Sequence, residues 1–391
     1  MPAITEYDPF AAEVKENPYP YYSWLRREHP VYHNQRLDLW ALSRYRDVEA
    51  ALRNHEVFSS ASGIGPERMS IPTMITRDPP DHRRLRSLVS KAFTPRIVAQ
   101  METRIREIIH HLLDAAADSG SFDLVREVAE PLPVIVIAEM LGVDPEHRAA
   151  FKRWSDDTIG VLGGSPDFDL NRYLRTWQEF KLYFTEMAER RRREPKDDLV
   201  TALVKANEEQ DALTPGEILN FILLLLVAGN ETTTNLITNG ALALLEHRDD
   251  ATILRERPDL IPSAVEECLR YDSPVQATFR TTTRAFEIRG VTIPRDSKVM
   301  MLYGSANRDA EMFEDPDRFN VERSPNDHIA FAIGIHYCLG APLARLEGKL
   351  AIEEVLERMK NIRLDAAGKR TRLDNPMFRG LKTLPMLFDR P

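Results

Sequence analysis

A chain of 391 residues, 43% hydrophobic and 29% charged, has the make-up of a globular protein able to bury a large core. Its formal net charge of −9 argues against general affinity for nucleic acid or anionic membranes. Two cysteines, Cys268 and Cys338, exclude a disulfide framework and make a reducing compartment, the cytoplasm, the expected location.

The N-terminus, Met1 to Pro9, has neither the basic nor the apolar segment of a signal peptide. The longest apolar run, Phe221 to Ala228, is far shorter than the ~20 residues of a membrane span, so no anchor is expected. Residues 18–29 predict an opening helix, with Pro18 and Pro20 tolerated in its first turn. Leu39–Leu42 reads as a strand, and a helix is expected after Ser43, a suitable N-cap. Residues 59–80, rich in glycine and proline, predict a long loop of the kind that covers a binding site. The run Asp78-Pro79-Pro80-Asp81-His82 opens a helix with His82 and Arg86 on one face, and with Arg83, Arg84 and Lys91 nearby. Taken alone, such a basic stripe is a solvated face. Two helices are expected over 94–142, interrupted by Pro131 and Pro133 and closed at Gly142. Residues 160–171 form a break. Arg190 to Arg193 ends a helix, where cations are favoured without any nucleic acid.

Thr214-Pro215-Gly216-Glu217 is a capping box for a helix of some thirty residues, running to about His247. Its middle, Phe221 to Ala228, lacks a polar face and should be buried. Next comes Ala228-Gly229-Asn230-Glu231-Thr232-Thr233, whose glycine and carboxylate packing alone would not select. Locally the alternative is a kink with Glu231 reaching solvent. Glu267 and Arg270 stand three apart on a helix that also carries Cys268, read as a core residue; as a lone pair they are a weak signal. Residues 277–303 predict two or three short strands, including Arg280. Residues 304–330 are polar and irregular. Phe331 to Gly340 is a glycine-framed loop around Cys338, followed by a helix from Ala341 to about Lys360. A cysteine just before a helix N-terminus is favoured as thiolate, and a thiolate is a strong ligand for haem iron. A lone cysteine is otherwise a small buried hydrophobe. Residues 376–380 form a late turn expected to return toward the site. With no repeat and no linker, residues 1–391 are expected to form one domain.

The Phe331–Gly340 segment resembles the haem-binding loop of the cytochrome P-450 family, with Ala332 where that family usually has glycine or serine. The Asp78–Arg86 run, Glu231-Thr232 and the Glu267/Arg270 pair are similar to three further motifs of the family, in its order, so the resemblance spans the chain. It implies a mainly α fold with a small β region, holding haem b between the long central helix and the Cys338 loop. It implies Cys338 as iron ligand, with His82, Arg86, Arg280 and His336 on the haem propionates. It implies Glu231 and Thr232 as the acid–alcohol pair that delivers protons, with room for oxygen at Ala228 and Gly229. Glu267 and Arg270 would form a structural triad with either Arg318 or Arg323. Met74, Ile75, Leu224, Val227, Ala228, Val275, Thr278, Met377 and Phe378 would wall the substrate pocket.

The activity implied is that of a soluble bacterial monooxygenase, a monomer, inserting one atom of O2 into a hydrophobic small molecule. No dinucleotide fingerprint is present, so NAD(P)H electrons would arrive through a ferredoxin and its reductase. Arg83, Arg84, Lys91, Arg345 and Lys349 are the candidate docking cations. A peroxide-driven peroxygenase and a non-catalytic haem sensor or carrier are the rivals; neither needs the acid–threonine pair.

Overall fold

The computed structural model describes residues 4–68, 72–117, 120–162, 169–210 and 213–389. Its central element is the helix Pro215–Glu246, 32 residues and therefore about 48 Å long. The capping box forms as expected: Thr214 N–H donates to Glu217 at 2.7 Å, and Glu217 N–H donates to the Thr214 hydroxyl at 3.2 Å. By length and composition this helix could cross a membrane, but 67% of its most apolar window is buried inside the molecule. It packs against Pro131–Leu141, Arg148–Leu162, Ile261–Tyr271 and Ala341–Arg358.

The main sheet has five strands in the order Val31–Asn34, Leu39–Leu42, Lys298–Leu302, Ala277–Thr282, Phe58–Ser59. Leu39–Leu42 runs parallel to Lys298–Leu302 and the other pairings are antiparallel. The two-residue period of Ala277–Thr282 sends Ala277 and Phe279 into one core cluster. Thr278 and Arg280 are left on the opposite face.

Several local expectations give way to long-range contacts. Ser43 does not cap the next helix, which spans Tyr45–Arg53. Its first N–H, on Tyr45, is satisfied by Asp309 at 2.9 Å, while the Ser43 carbonyl accepts from Ser305. Pro131 starts the helix Pro131–Leu141 rather than interrupting one, and Gly142 closes it at φ +73°. Before it lie Pro95–Ala99, Glu102–Ala117 and a strand, Ser121–Asp123, where two helices were expected. The break near residue 165 separates Arg148–Leu162 from Leu170–Arg193, with 163–168 outside the described residues. Residues 277–302 hold four strands instead of two or three. The C-terminal segment adds strands the sequence did not signal: Pro385–Asp389 pairs with both Ser121–Asp123 and Lys360–Leu364.

Candidate active site

Three segments far apart in sequence meet at the cysteine loop. The loop is closed by the Cys338 N–H donating to the Phe331 carbonyl at 2.9 Å. Gly334 has φ +72°, and a Cβ there would lie 2.8 Å from the Leu52 carbonyl oxygen, so only glycine fits. Ala332 also sits in the left-handed region, at φ +54°. The position where the sequence departs from the family pattern is thus one where glycine would be at ease. A Cβ on Gly340 would meet no protein atom within 4 Å. The loop leaves space there for a non-protein group. Cys338 is half-buried; Cys268 is buried in the core. Burial raises the Cys338 thiol pKa. The Gly340 and Ala341 N–H groups and the charges of Arg86 and Arg345 pull it back toward thiolate.

Beside the loop stands a cationic pocket. Arg86, on the helix Asp81–Val89, donates to the carbonyls of Ile335 at 3.0 Å and Tyr337 at 2.6 Å. Arg280 donates to the Phe279 carbonyl at 2.7 Å and the Thr278 hydroxyl at 3.2 Å. Among the described residues neither guanidinium bonds a carboxylate. The nearby Asp78 is engaged by Ser59 and Ser60. The rings of His82 and His336 meet edge to face at 4.5 Å. Burial, then the Arg86 charge, lowers the His82 pKa to about 4. Burial, then the Arg280 charge, lowers that of His336 to about 2. His336 contacts the Ser60 hydroxyl at 3.1 Å, whereas the buried Nε2 of His82 has no partner among the described residues. Two uncompensated guanidiniums and an orphaned ring nitrogen form a site built for anionic oxygens. The four residues expected to hold haem carboxylates are brought together, and their donors fit that group.

Across from the loop runs the central helix. It is α-helical without a break from Pro215 to Glu246. Its middle is not buried all round: Leu224, Val227, Gly229, Glu231 and Thr232 are half-buried and Ala228 is exposed, while Leu225, Leu226, Asn230 and Thr233 are buried. The 224–227–228–231–232 spacing is one helix face, which is therefore left accessible. The Thr232 hydroxyl donates to the Ala228 carbonyl at 2.7 Å, leaving its lone pairs free to accept. Asn230 turns the other way, to the Ser155 hydroxyl at 2.9 Å. Burial, with a smaller push from Asp156, raises the Glu231 pKa to about 7.

Sequence reasoning missed Glu347. It lies on the helix Ala341–Arg358, 1% exposed, its carboxyl hydrogen-bonded by Thr233. The signal was present: Leu343, Glu347, Leu350 and Glu354 follow the period of that helix's buried face.

The triad ambiguity resolves in favour of Arg323. Glu267 receives Arg270 at 2.8 and 2.9 Å and Arg323 at 3.1 Å. Arg318 contributes only its carbonyl, to Arg270 at 3.0 Å, and its own side chain is exposed. Of the expected pocket residues, Met377 is buried in a core cluster against which the half-buried Phe378 packs, and Phe378 is bridged to Val275. The Thr278 hydroxyl is tied to Tyr303 at 2.6 Å. Among the docking cations, Arg84 pairs with Glu217, and Lys349 lies 3.5 Å from Glu102. Arg345 is held in a two-pronged pair by Glu266; against the burial that would raise it, Arg345 and His328 hold that carboxyl at about 2. Arg83 has no acidic partner among the described residues. The Lys91 side chain lies outside them.

An accessible cysteine at the start of a helix that packs on the long core helix, beside guanidiniums with no carboxylate partner among the described residues, is the arrangement of a haem-thiolate protein. The cytochrome P450 family model matches residues 166–383, and the chain belongs to that family. It is 41% identical over 374 residues to Cytochrome P450 109 of Bacillus spizizenii, covering 94% of this chain and 91% of that one. It is 39% identical over 374 residues to the Steroid C26-monooxygenase of Mycobacterium tuberculosis, covering 94% and 92%. The solved structure of Cytochrome P450 CYP109Q5 from Chondromyces apiculatus superposes with a TM-score of 0.90 at 42% identity, covering 98% of each chain. The fold is therefore the P450 fold, and the chain is a bacterial-type P450 monooxygenase, a haem enzyme by family.

Proposed function

We propose that residues 1–391 work as one cytochrome P450 domain that inserts an oxygen atom from O2 into a hydrophobic small molecule. Electrons would come from NAD(P)H through an external ferredoxin and its reductase. The observation that carries this reading is the Glu231–Thr232 pair on the accessible face of an otherwise buried helix. Haem bound between that helix and the loop supplies the oxygen-activating chemistry. The residues around it do the rest. Cys338 would ligate its iron, in a loop pinned by the bonds Arg86 makes to the carbonyls flanking His336. Arg86, Arg280, His82 and His336 would hold its carboxylates. Thr232 holds a water or substrate-side donor in its free lone pairs. Glu231, with a pKa of about 7, can take a proton and give it up at physiological pH. Asp156, bonded to Lys152 at 2.9 Å, is the charge that adds to the burial in raising that pKa.

The half-buried Leu224, Val227, Val275 and Phe378 support an apolar substrate, as does the likeness to a steroid monooxygenase. The two free cysteines fit a reducing compartment, the cytoplasm, and the protein would act there as a monomer. Arg83, exposed and without an acidic partner among the described residues, is the docking charge best placed to meet an acidic ferredoxin.

The test compares product formed with a ferredoxin, reductase and NAD(P)H against product formed with peroxide alone. Turnover with the reductant system supports the reading. Turnover with peroxide only would assign a peroxygenase, and turnover with neither, a carrier or sensor.

A further inference from the structure

A cleft of about 300 Å³ opens well away from the cysteine loop. It lies between the end of the central helix, the short helix Arg248–Glu256 and the second half of Ala341–Arg358. The distance from Thr232 to Leu244 along the central helix is already about 18 Å at 1.5 Å per residue. The floor is apolar: Ile237, Leu244 and Leu245 on one helix face Ile352, Val355 and Leu356 on another. The rim is not. Arg248 and Arg255 stand seven residues apart, on one face of their helix, and both line the opening. Both are exposed, and among the described residues neither has a carboxylate partner. The single lining carboxylate, Asp389, is closed off by Arg363 at 3.2 Å and Asn361 at 2.6 Å. Two cations with no carboxylate partner among the described residues thus stand beside an apolar trough, although their helix also carries Asp249, Asp250 and Glu256.

We propose that this cleft is a second small-molecule site, for an apolar chain that ends in a carboxylate. The size follows from the volume: at ~30 Å³ for each water-sized unit, 300 Å³ holds about ten non-hydrogen atoms. The ligand class is a free medium-chain alkanoate of about eight to ten carbons. Its tail fills the trough, and its head group reaches the guanidiniums of Arg248 and Arg255.

The holoenzyme is titrated with decanoate by calorimetry while the haem absorption band is recorded. The band reports any decanoate that enters the haem pocket; the remote site is silent there. Wild type should show a binding component that leaves the band unmoved. The double variant Arg248→Ser/Arg255→Ser alters only exposed side chains. It should weaken that component at least tenfold while its haem-band response stays as in wild type. Leu245→Trp, which fills the trough, should remove the component. Decylamine, with the opposite charge, should bind at least tenfold more weakly than decanoate. Absence of a band-silent component in wild type, equal heats in wild type and both variants, or decylamine binding as well as decanoate would each overturn the proposal.

Discussion

Replacing Glu347 with glutamine isolates one buried proton. The carboxyl has one oxygen without a partner, and burial raises its pKa from 4.5 to about 8 against the opposing bond from Thr233. Between those two values it is protonated in the folded chain and ionised in the unfolded one. Unfolding then releases a proton, so the stabilisation is complete below the unfolded pKa and is lost as pH rises through the folded one. From pH 6 to 8 the loss is roughly 2.3 kcal/mol, a little under two steps of 1.36 because the carboxyl is already half ionised at its folded pKa. With an unfolding entropy of ~2.1 cal/mol/K per residue, 391 residues give about 0.8 kcal/mol/K, so the loss corresponds to about 3 °C in Tm. Glutamine is neutral at every pH. Thermal unfolding of the two holoenzymes, followed by circular dichroism at pH 6, 7, 8 and 9, should show the gap moving in the variant's favour by about 3 °C between pH 6 and 8. The shift should flatten above pH 9. A fixed offset at pH 6 reflects the hydrogen bonding of the new amide; the change in the gap is the readout. Parallel curves would refute the assignment of Glu347 as a buried neutral acid.

The remaining expectations address the site and its scaffold. Thr232→Ala should still bind haem and substrate and consume reductant, yet form less product and more peroxide; product per reductant at the wild-type ratio would remove the proton-delivery role. Wild-type turnover should change with pH around 7, where Glu231 titrates, and Glu231→Gln should be slower and flat across that range. Arg323→Met leaves the fully buried Glu267 one cation short and should cost about 3–5 kcal/mol, roughly 4–6 °C in Tm. Arg318→Ala should stay within about 0.5 kcal/mol, and equal losses in the two variants would contradict the geometry. Cys338→Ser should abolish the red-shifted carbon monoxide band of a thiolate-bound haem, while Cys268→Ser keeps it. Arg86→Ala and Arg280→Ala should each purify with less haem; full occupancy in the double variant would argue against their grip on the haem carboxylates.

Much of this protein was legible in the chain because the signals are local. A capping box and a glycine past a helix end act within four residues, and the 214–247 boundaries and the close at Gly142 follow from them, whereas the start at Pro131 reads in the sequence as an interruption. The Cys338 loop and the His82/Arg86 face are local spacings too. What failed was whatever depends on a partner from elsewhere. Asp309, not Ser43, satisfies the helix starting at Tyr45. The strands 121–123 and 385–389 exist because they meet each other. Arg318 and Arg323 are equivalent in sequence, and only the path of residues 304–330 turns one guanidinium onto Glu267 and the other to solvent. The same holds for charge. Glu231 and Glu347 are ordinary carboxylates by composition. Their elevated pKa values arise from the packing of the central helix against the helices 148–162 and 341–358, because desolvation depends on the surroundings of a side chain and not on its neighbours along the chain.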